Sequence, residues 1–270
     1  HQEFGIGLSG ARIAKKLDKP LIYTLHTMYD DYLYYIVPER LTPLLRRIAH
    51  RYFRFLGKSA TELTGPSMKV QEYFEMCGVH KSVNVVPNPV ELDIFNPTNL
   101  NQKHITAIRN KYGVAEDETL VSFCGRLGKE KSVDVLLDYW AKYVKKDDKL
   151  RLMILGGGPC LSELIEQSKR LGIGQQVIFT DTIPHEELPD YYGACQLYIT
   201  ASLSDTNSIS MKEAMATGLP VLHIKDPLNA GQVVDGVNGF IYSNAEEMYA
   251  LLKRYQAMTD KEKNTLTSSV

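Results

Sequence analysis

The sequence has no excess of either charge: 31 Lys and Arg stand against 32 Asp and Glu in 270 residues, a formal net charge of −1. Nothing in that balance draws the chain as a whole toward nucleic acid, and no nucleic-acid partner is expected. Cysteine is scarce. The four residues Cys77, Cys124, Cys160 and Cys195 stand far apart, with no C-x-x-C pair and no Cys/His ligand spacing. A zinc site is therefore not expected, and a reducing compartment is the default. No apolar run reaches the roughly 20 residues needed to cross a bilayer, and the N-terminus lacks signal-peptide architecture. A cytoplasmic protein is the expectation. Internal repeats, low-complexity segments and Asp-x-Asp pairs are also missing. With 44% apolar and 23% charged residues, the composition excludes disordered and collagen-like chains. The chain opens on His1-Gln-Glu-Phe4, without Met and without a leading strand, and soon enters a helical pattern from Leu8 to Leu17. A helix whose sheet partners are absent reads as a start partway through a domain.

What is present is strand–helix alternation. After about residue 119, apolar strands read as Leu120–Cys124, Leu150–Leu155, Gln176–Phe179, Leu197–Thr200, Pro220–His223 and Phe240–Tyr242. Between them lie helical patterns at Val133–Val144, Leu161–Leu171, Glu186–Ala194, Ser210–Ala216 and Ala245–Gln256. Short glycine-containing turns join them, the signature of a doubly wound parallel sheet. Earlier strand candidates are Leu21–Thr27, Glu62–Gly65 and Val83–Pro87. The Pro- and Asn-rich stretch Pro87–Pro97 closes that first part, and Asn96–Gln102 reads as a linker. The expected domains are 1–98, Rossmann-like and incomplete, and 99–270, a complete Rossmann-like domain.

Chemistry concentrates at the ends of strands. Asp205-Thr-Asn-Ser-Ile-Ser-Met-Lys-Glu213 follows the strand Leu197–Thr200 and runs into Gly218-Leu-Pro220. Small polar residues at a helix start leave backbone N–H groups and a positive dipole end facing outward. Were the whole run helical, Glu213 would sit about 12 Å below Asp205, and the pair would span a ligand of nucleotide-sugar length. Gly125-Arg-Leu-Gly-Lys-Glu-Lys-Ser132 follows the strand ending at Cys124. In such sheets ligands bind beyond the carboxyl ends of strands, so Arg126 and Lys131 are placed to meet an anion, the first with a fork and the second as a point charge. Gly156-Gly-Gly-Pro159 permits close backbone approach, and His26 ends the apolar run Leu21–Leu25.

These motifs resemble the GT-B-type retaining glycosyltransferases of family 4. The run Asp205…Glu213 is similar to that family's E-x7-E signature with Asp in first place. Gly125-Arg-Leu-Gly-Lys-Glu-Lys131 resembles its G-R-L-x-x-E-K motif, and Phe179-Thr-Asp-Thr-Ile183 resembles its F-x-G-x-V turn, with Asp181 in place of Gly. Ser208 stands where Gly is usual, and Lys212 where an apolar residue is usual. His1 to Pro38 is similar to the bacterial diacylglycerol glucosyltransferase branch. The resemblance implies two Rossmann-like domains and transfer of a hexosyl group from a UDP-sugar, with retention, to diacylglycerol, another lipid or a sugar acceptor. It implies no metal, and no cofactor beyond the UDP-sugar as donor substrate. Arg126 and Lys131 would neutralise the leaving diphosphate beside Gly125, and the turn at Ile183 would touch the base. Glu213 would bind the ribose hydroxyls and Asp205 those of the donor sugar. The N–H groups of Thr206, Asn207, Ser208 and Ile209 would hold sugar and phosphate, and His26 would face the sugar.

Other readings stay open from sequence. Leu41–Lys58 is amphipathic, with an apolar stripe of Leu44, Leu45, Ile48, Ala49, Tyr52, Phe53 and Leu56 and a basic set of Arg46, Arg47, Arg51, Arg54 and Lys58. It is either a domain helix with a solvated basic face or a contact with an anionic membrane surface, which would make the protein peripheral at the inner face of the cell membrane. Gly5-Ile-Gly7-Leu-Ser-Gly10 matches G-x-G-x-x-G, with Asp30 or Asp31 where a ribose-binding acid would stand. That allows a dinucleotide-dependent oxidoreductase, or glycines serving close helix packing. A nucleotide-sugar-binding fragment without catalysis is the remaining alternative.

Overall fold

The computed structural model describes residues 4–229 and 231–268. The expected domains begin and end at 1–3 and 269–270, which lie outside that range. Two compact units emerge. The first comprises the chain up to Asn88 with Ser204–Asn207 and Pro227–Asn229, and the second Pro89–Leu203, Ser208–Asp226 and the chain after Asn229.

The first unit has three parallel strands, β1 (Ile22–Thr24), β2 (Glu62–Gly65) and β3 (Val83–Val85), in the order β1-β2-β3. Its helices are α1 (Gly5–Lys16), α2 (Thr42–Ser59) and α3 (Lys69–Met76). Leu25, Leu63, Phe53, Leu56, Val70, Tyr73 and Phe74 form its core. β1 and β3 are shorter than the apolar runs Leu21–Thr27 and Val83–Pro87, because only three residues of each find a ladder partner. α2 buries Phe53, Leu56 and Gly57, all in its second half. Leu44 and Ile48, expected in the buried stripe, are 59% and 57% exposed.

Gly5 and Gly10 lie inside α1, not in a turn after a strand, which removes the basis for the dinucleotide reading. A Cβ added at either would meet nothing within 4 Å, so close packing does not explain them either. Asp30 is occupied structurally: Oδ2 pairs with His50 Nε2 at 2.8 Å and Arg46 Nε at 3.2 Å. Tyr73 also donates to Oδ1, at 3.4 Å.

The second unit is built on six strands: β4 (Thr119–Cys124), β5 (Leu150–Leu155), β6 (Val177–Phe179), β7 (Leu197–Thr200), β8 (Val221–Ile224) and β9 (Gly239–Tyr242). All pairs are parallel, in the order β6-β5-β4-β7-β8-β9. Counted from β4 this is 3-2-1-4-5-6, the doubly wound order whose direction reverses between the first and fourth strands. The helices are α4 (Gln102–Lys111), α5 (Val133–Tyr143), α6 (Leu161–Arg170), α7 (Leu188–Gly193), α8 (Ile209–Ala216), α9 (Ala245–Ala257) and α10 (Asp260–Ser268).

Side-chain alternation along the strands makes two buried faces. Val121, Phe123, Leu152, Ile154, Leu197 and Ile199 pack against Leu136, Trp140, Leu164 and Leu252. Leu120, Met153, Leu155, Tyr198 and Val221 pack against Ile105, Ile108, Tyr192, Met211 and Ala214. Trp140 is fully buried, and its indole N–H donates to Gln176 Oε1 at 3.1 Å. α4 was not expected from sequence: it buries only Ile105 and Ile108, and its start is fixed by the Asn101 side chain accepting from the N–H groups of Lys103 and His104. Phe95, upstream of the expected linker, is buried with the second unit's core.

Leu152→Ala should cost about 2–5 kcal/mol by leaving a cavity in the middle of β5. A guanidinium melt followed by the fluorescence of Trp140, the one tryptophan of the chain, checks it.

Candidate functional site

Because the strand order reverses between β4 and β7, the helices that follow these two strands leave from opposite faces of the sheet. That opens a crevice beyond their carboxyl ends. The loop after β4 is Gly125–Ser132, and the chain after β7 leads to α8.

The β4 loop is held from below by backbone. Leu127 N–H donates to the Gly157 carbonyl at 2.9 Å, and Cys160 N–H to the Leu127 carbonyl at 3.0 Å. Such contact requires glycine: a Cβ on Gly156, whose φ is +129°, would lie 2.1 Å from the Gly125 carbonyl oxygen. Arg126 projects outward, and its Nη1 meets Glu130 Oε1 at 3.3 Å, with the Glu130 side chain 1% exposed and that of Arg126 53%. A buried carboxylate thus braces the root of an exposed guanidinium. Glu130 is the acid in the run that resembles G-R-L-x-x-E-K, and it stands i, i+4 from Arg126. Lys131 ends the loop half-buried, and Ser132 takes φ +51° just before α5.

Gly156 N–H donates to the Asp181 carbonyl at 3.0 Å, joining the β5 and β6 loops. Asp181, where the resembled family has Gly, adopts φ +60°. Its carboxylate accepts from Thr182 N–H at 2.7 Å. Asp is among the few residues that tolerate the left-handed region through such local bonding, so the turn keeps a glycine-like backbone. Ile183 follows, half-buried.

α8 begins at Ile209, with Ser208 as N-cap accepting from Met211 N–H at 3.3 Å. Ser204–Asn207 is not helical, which corrects the supposition of a helix from Asp205. The rise of about 12 Å does not describe the run, and Thr206 and Asn207 precede the helix start. Cap and turn residues compete with the helix for those backbone groups. Within the first unit, Thr206 donates its hydroxyl to the His26 carbonyl at 3.0 Å. Asn207 accepts two bonds from Asn88, its Oδ1 from the backbone N–H at 3.0 Å and its carbonyl from the side-chain amide at 2.9 Å. The structure thus brings Thr206 to His26, whose side chain is exposed, and commits both Asn207 oxygens to Asn88. Asp205 is half-buried in the same segment.

Glu213 lies on the second turn of α8, its side chain 8% exposed, with Oε1 2.9 Å from His185 Nε2. His185 belongs to a single turn, His185–Glu187, that replaces the first part of the helix expected at Glu186–Ala194. Nothing in the sequence marked it, since 28 residues separate the partners. Burial pushes the Cys124 thiol at the end of β4 up to about 11, so at neutral pH it carries its proton and is no nucleophile. The same desolvation lowers the pKa of Lys212 beside Glu213. Among the described residues, no group of three or more His, Cys, Asp and Glu is placed to hold a metal ion.

The profile described as Glycosyl transferases group 1 matches residues 104–265, and that described as Glycosyltransferase Family 4 matches residues 1–94. The chain belongs to the group 1 glycosyl transferases. Alpha-monoglucosyldiacylglycerol synthase of Streptococcus pneumoniae strain R6 is 30% identical over 99% of this chain and 60% of its own length. The protein of the same name from Acholeplasma laidlawii is 26% identical over 92% of this chain and 63% of its own. The chain therefore spans about three fifths of these curated relatives. Anabaena Alr3699/HepE, solved in complex with UDP, superposes with a TM-score of 0.77 and 22% identity over 97% of this chain and 69% of that one. That likeness shows the fold, which is of the GT-B class.

Gly156→Ala should destabilise the second unit by about 2 kcal/mol or more, from an unfavourable φ and the clash with Gly125. Thermal unfolding of the variant against the parent chain measures it.

Proposed function

We propose that the chain carries the donor-binding site of a retaining glycosyltransferase that moves a hexosyl group from a UDP-sugar to a lipid acceptor of the diacylglycerol class. The observation that carries this reading is the convergence, at the carboxyl ends of β4 to β7, of the Arg126–Lys131 loop, the Gly156 and Ile183 turns and Glu213. Relatives named as monoglucosyldiacylglycerol synthases and a neighbour solved with UDP support it.

In this reading Arg126 and Lys131 meet the diphosphate, and fixed positive charge there stabilises the negative charge that grows as the sugar–phosphate bond breaks. Glu213 accepts from the ribose hydroxyls, and the backbone at Ile183 faces the base. Gly125 lets the nucleotide approach the main chain, and Ser208 and Ile209 offer N–H groups at the start of α8. Asp205 and His26 serve the donor sugar. Their common anchorage supports that assignment, since Thr206, next to Asp205, is bonded to the His26 carbonyl. The anomeric C–O bond to the diphosphate breaks as the acceptor oxygen bonds to the same carbon from the same face. The acceptor's proton passes to the departing phosphate oxygen. No enzyme nucleophile takes part.

The lipid acceptor places a membrane surface beside the first unit. The basic face of α2 is the contact, at the inner leaflet of the cell membrane. The structure alters which cations are available. Arg54 Nε donates to the Cys77 carbonyl at 2.6 Å and Arg46 is paired with Asp30, whereas Arg47, Arg51 and Lys58 are exposed. A groove of about 930 Å³ between α1 and α2 adds Arg12, Lys15 and Lys19 beside Ile48 and Phe55, with no acidic residue among its described lining.

Two measurements follow. Hydrogen bonds to charged groups are worth about 1.5–3 kcal/mol, so Arg126→Ala should weaken UDP at least about ten-fold by calorimetry. Unchanged affinity would remove the diphosphate role. At about 1 kcal/mol per basic residue near an anionic surface, Arg47→Gln, Arg51→Gln and Lys58→Gln together should cut binding to anionic vesicles about 100-fold. Vesicle sedimentation with neutral lipid, or at 0.5 M salt, should show none; equal binding to neutral and anionic vesicles would reject the contact.

A further inference from the structure

We infer that His185 is the positioning residue for nucleotide recognition, fixing the Glu213 carboxylate for the ribose and tying it to the turn that faces the base. The inference rests on the proposed role of Glu213. Of the described residues, His185 is the one side chain recorded in hydrogen bonding to that carboxylate. Glu213 is a buried acid, and a buried charge held by no partner is strongly unfavourable. A carboxylate oxygen can only accept, so the hydrogen of this 2.9 Å contact belongs to His185 Nε2. The bond occupies Oε1. Oε2 is the oxygen left to accept from a ribose hydroxyl.

The ring itself is held. Its edge meets Phe95 with centroids 5.1 Å apart and planes at 67°, and Phe95 is anchored in the core at 1% exposure. Pro184 fixes the backbone immediately before it, and Ile183 lies one residue further back. The carboxylate expected to read the ribose is thereby aligned by the same five-residue turn, Asp181 to His185, that is expected to read the base. The His185 side chain is 49% exposed and that of Glu213 8%, so the bond runs from a buried acid to a ring that reaches solvent.

Calorimetry with UDP and 2′,3′-dideoxy-UDP tests this on the whole chain. His185→Ala should weaken UDP about five-fold and leave the dideoxy analogue unchanged. His185→Gln, whose amide can still donate, should recover most of the loss. In a Glu213→Gln background, His185→Ala should add nothing. If Glu213→Gln discriminates the two ligands while His185→Ala leaves UDP affinity intact, the positioning role is wrong. The same holds if His185→Ala weakens both ligands equally, which is the mark of a merely structural part. If Glu213→Gln itself weakens both ligands alike, or neither, the ribose assignment fails and the role of His185 falls with it.

Discussion

Everything at the site depends on one carbonyl. The Cys124 oxygen, at the last residue of β4, accepts from Ser210 Oγ at 2.8 Å and from the Tyr198 hydroxyl at 3.1 Å. Tyr198 belongs to β7 and Ser210 to the first turn of α8, so the bonds tie together both sides of the point where the strand order reverses. Parallel strands that part at a reversal leave their terminal carbonyls without ladder partners, and a buried polar group left unpaired costs about 1–3 kcal/mol. Satisfying Cys124 with a residue of α8 fixes where that helix starts relative to the β4 loop. Glu213, a turn further along, and Arg126, two residues after Cys124, are thereby held at a set separation.

That tie explains why the site belongs to the larger sheet. Six parallel strands covered on both faces bury nearly every residue of β4, β5 and β7, and a rigid floor can carry loops that differ from their relatives without loss of form. Asp181 shows the tolerance: its carboxylate bonds the next N–H and keeps a left-handed turn that a β-branched residue would lose. The first unit is another kind of object. Its three short strands support helices whose outer faces keep exposed cations beside exposed Ile48 and Phe55.

The second unit was largely legible in the sequence because buried parallel strands are continuous apolar runs and their helices have clear apolar stripes. β5 and β7 fall at the expected residues. α4 was invisible since two buried isoleucines in a polar decapeptide make no periodic signal. The helix expected at Ser210–Ala216 is present as α8, and the run before it stays outside because tertiary bonds to His26 and Asn88 claim Thr206 and Asn207 while Ser208 caps. The His185–Glu213 pair leaves no trace in the sequence because folding, not local spacing, brings its partners together across 28 residues. In α2 the amphipathic spacing runs the length of the helix, whereas full burial is confined to its second half and Ala49 is only partly buried against the core.

A crystal structure of the chain soaked with UDP tests the account most directly. The account predicts diphosphate oxygens within hydrogen-bond reach of Arg126 and Lys131, the ribose hydroxyls on Glu213 Oε2 with His185 still on Oε1, and the uracil against the backbone at Ile183. A nucleotide bound away from the β4 loop, or one whose ribose does not touch Glu213, would contradict it.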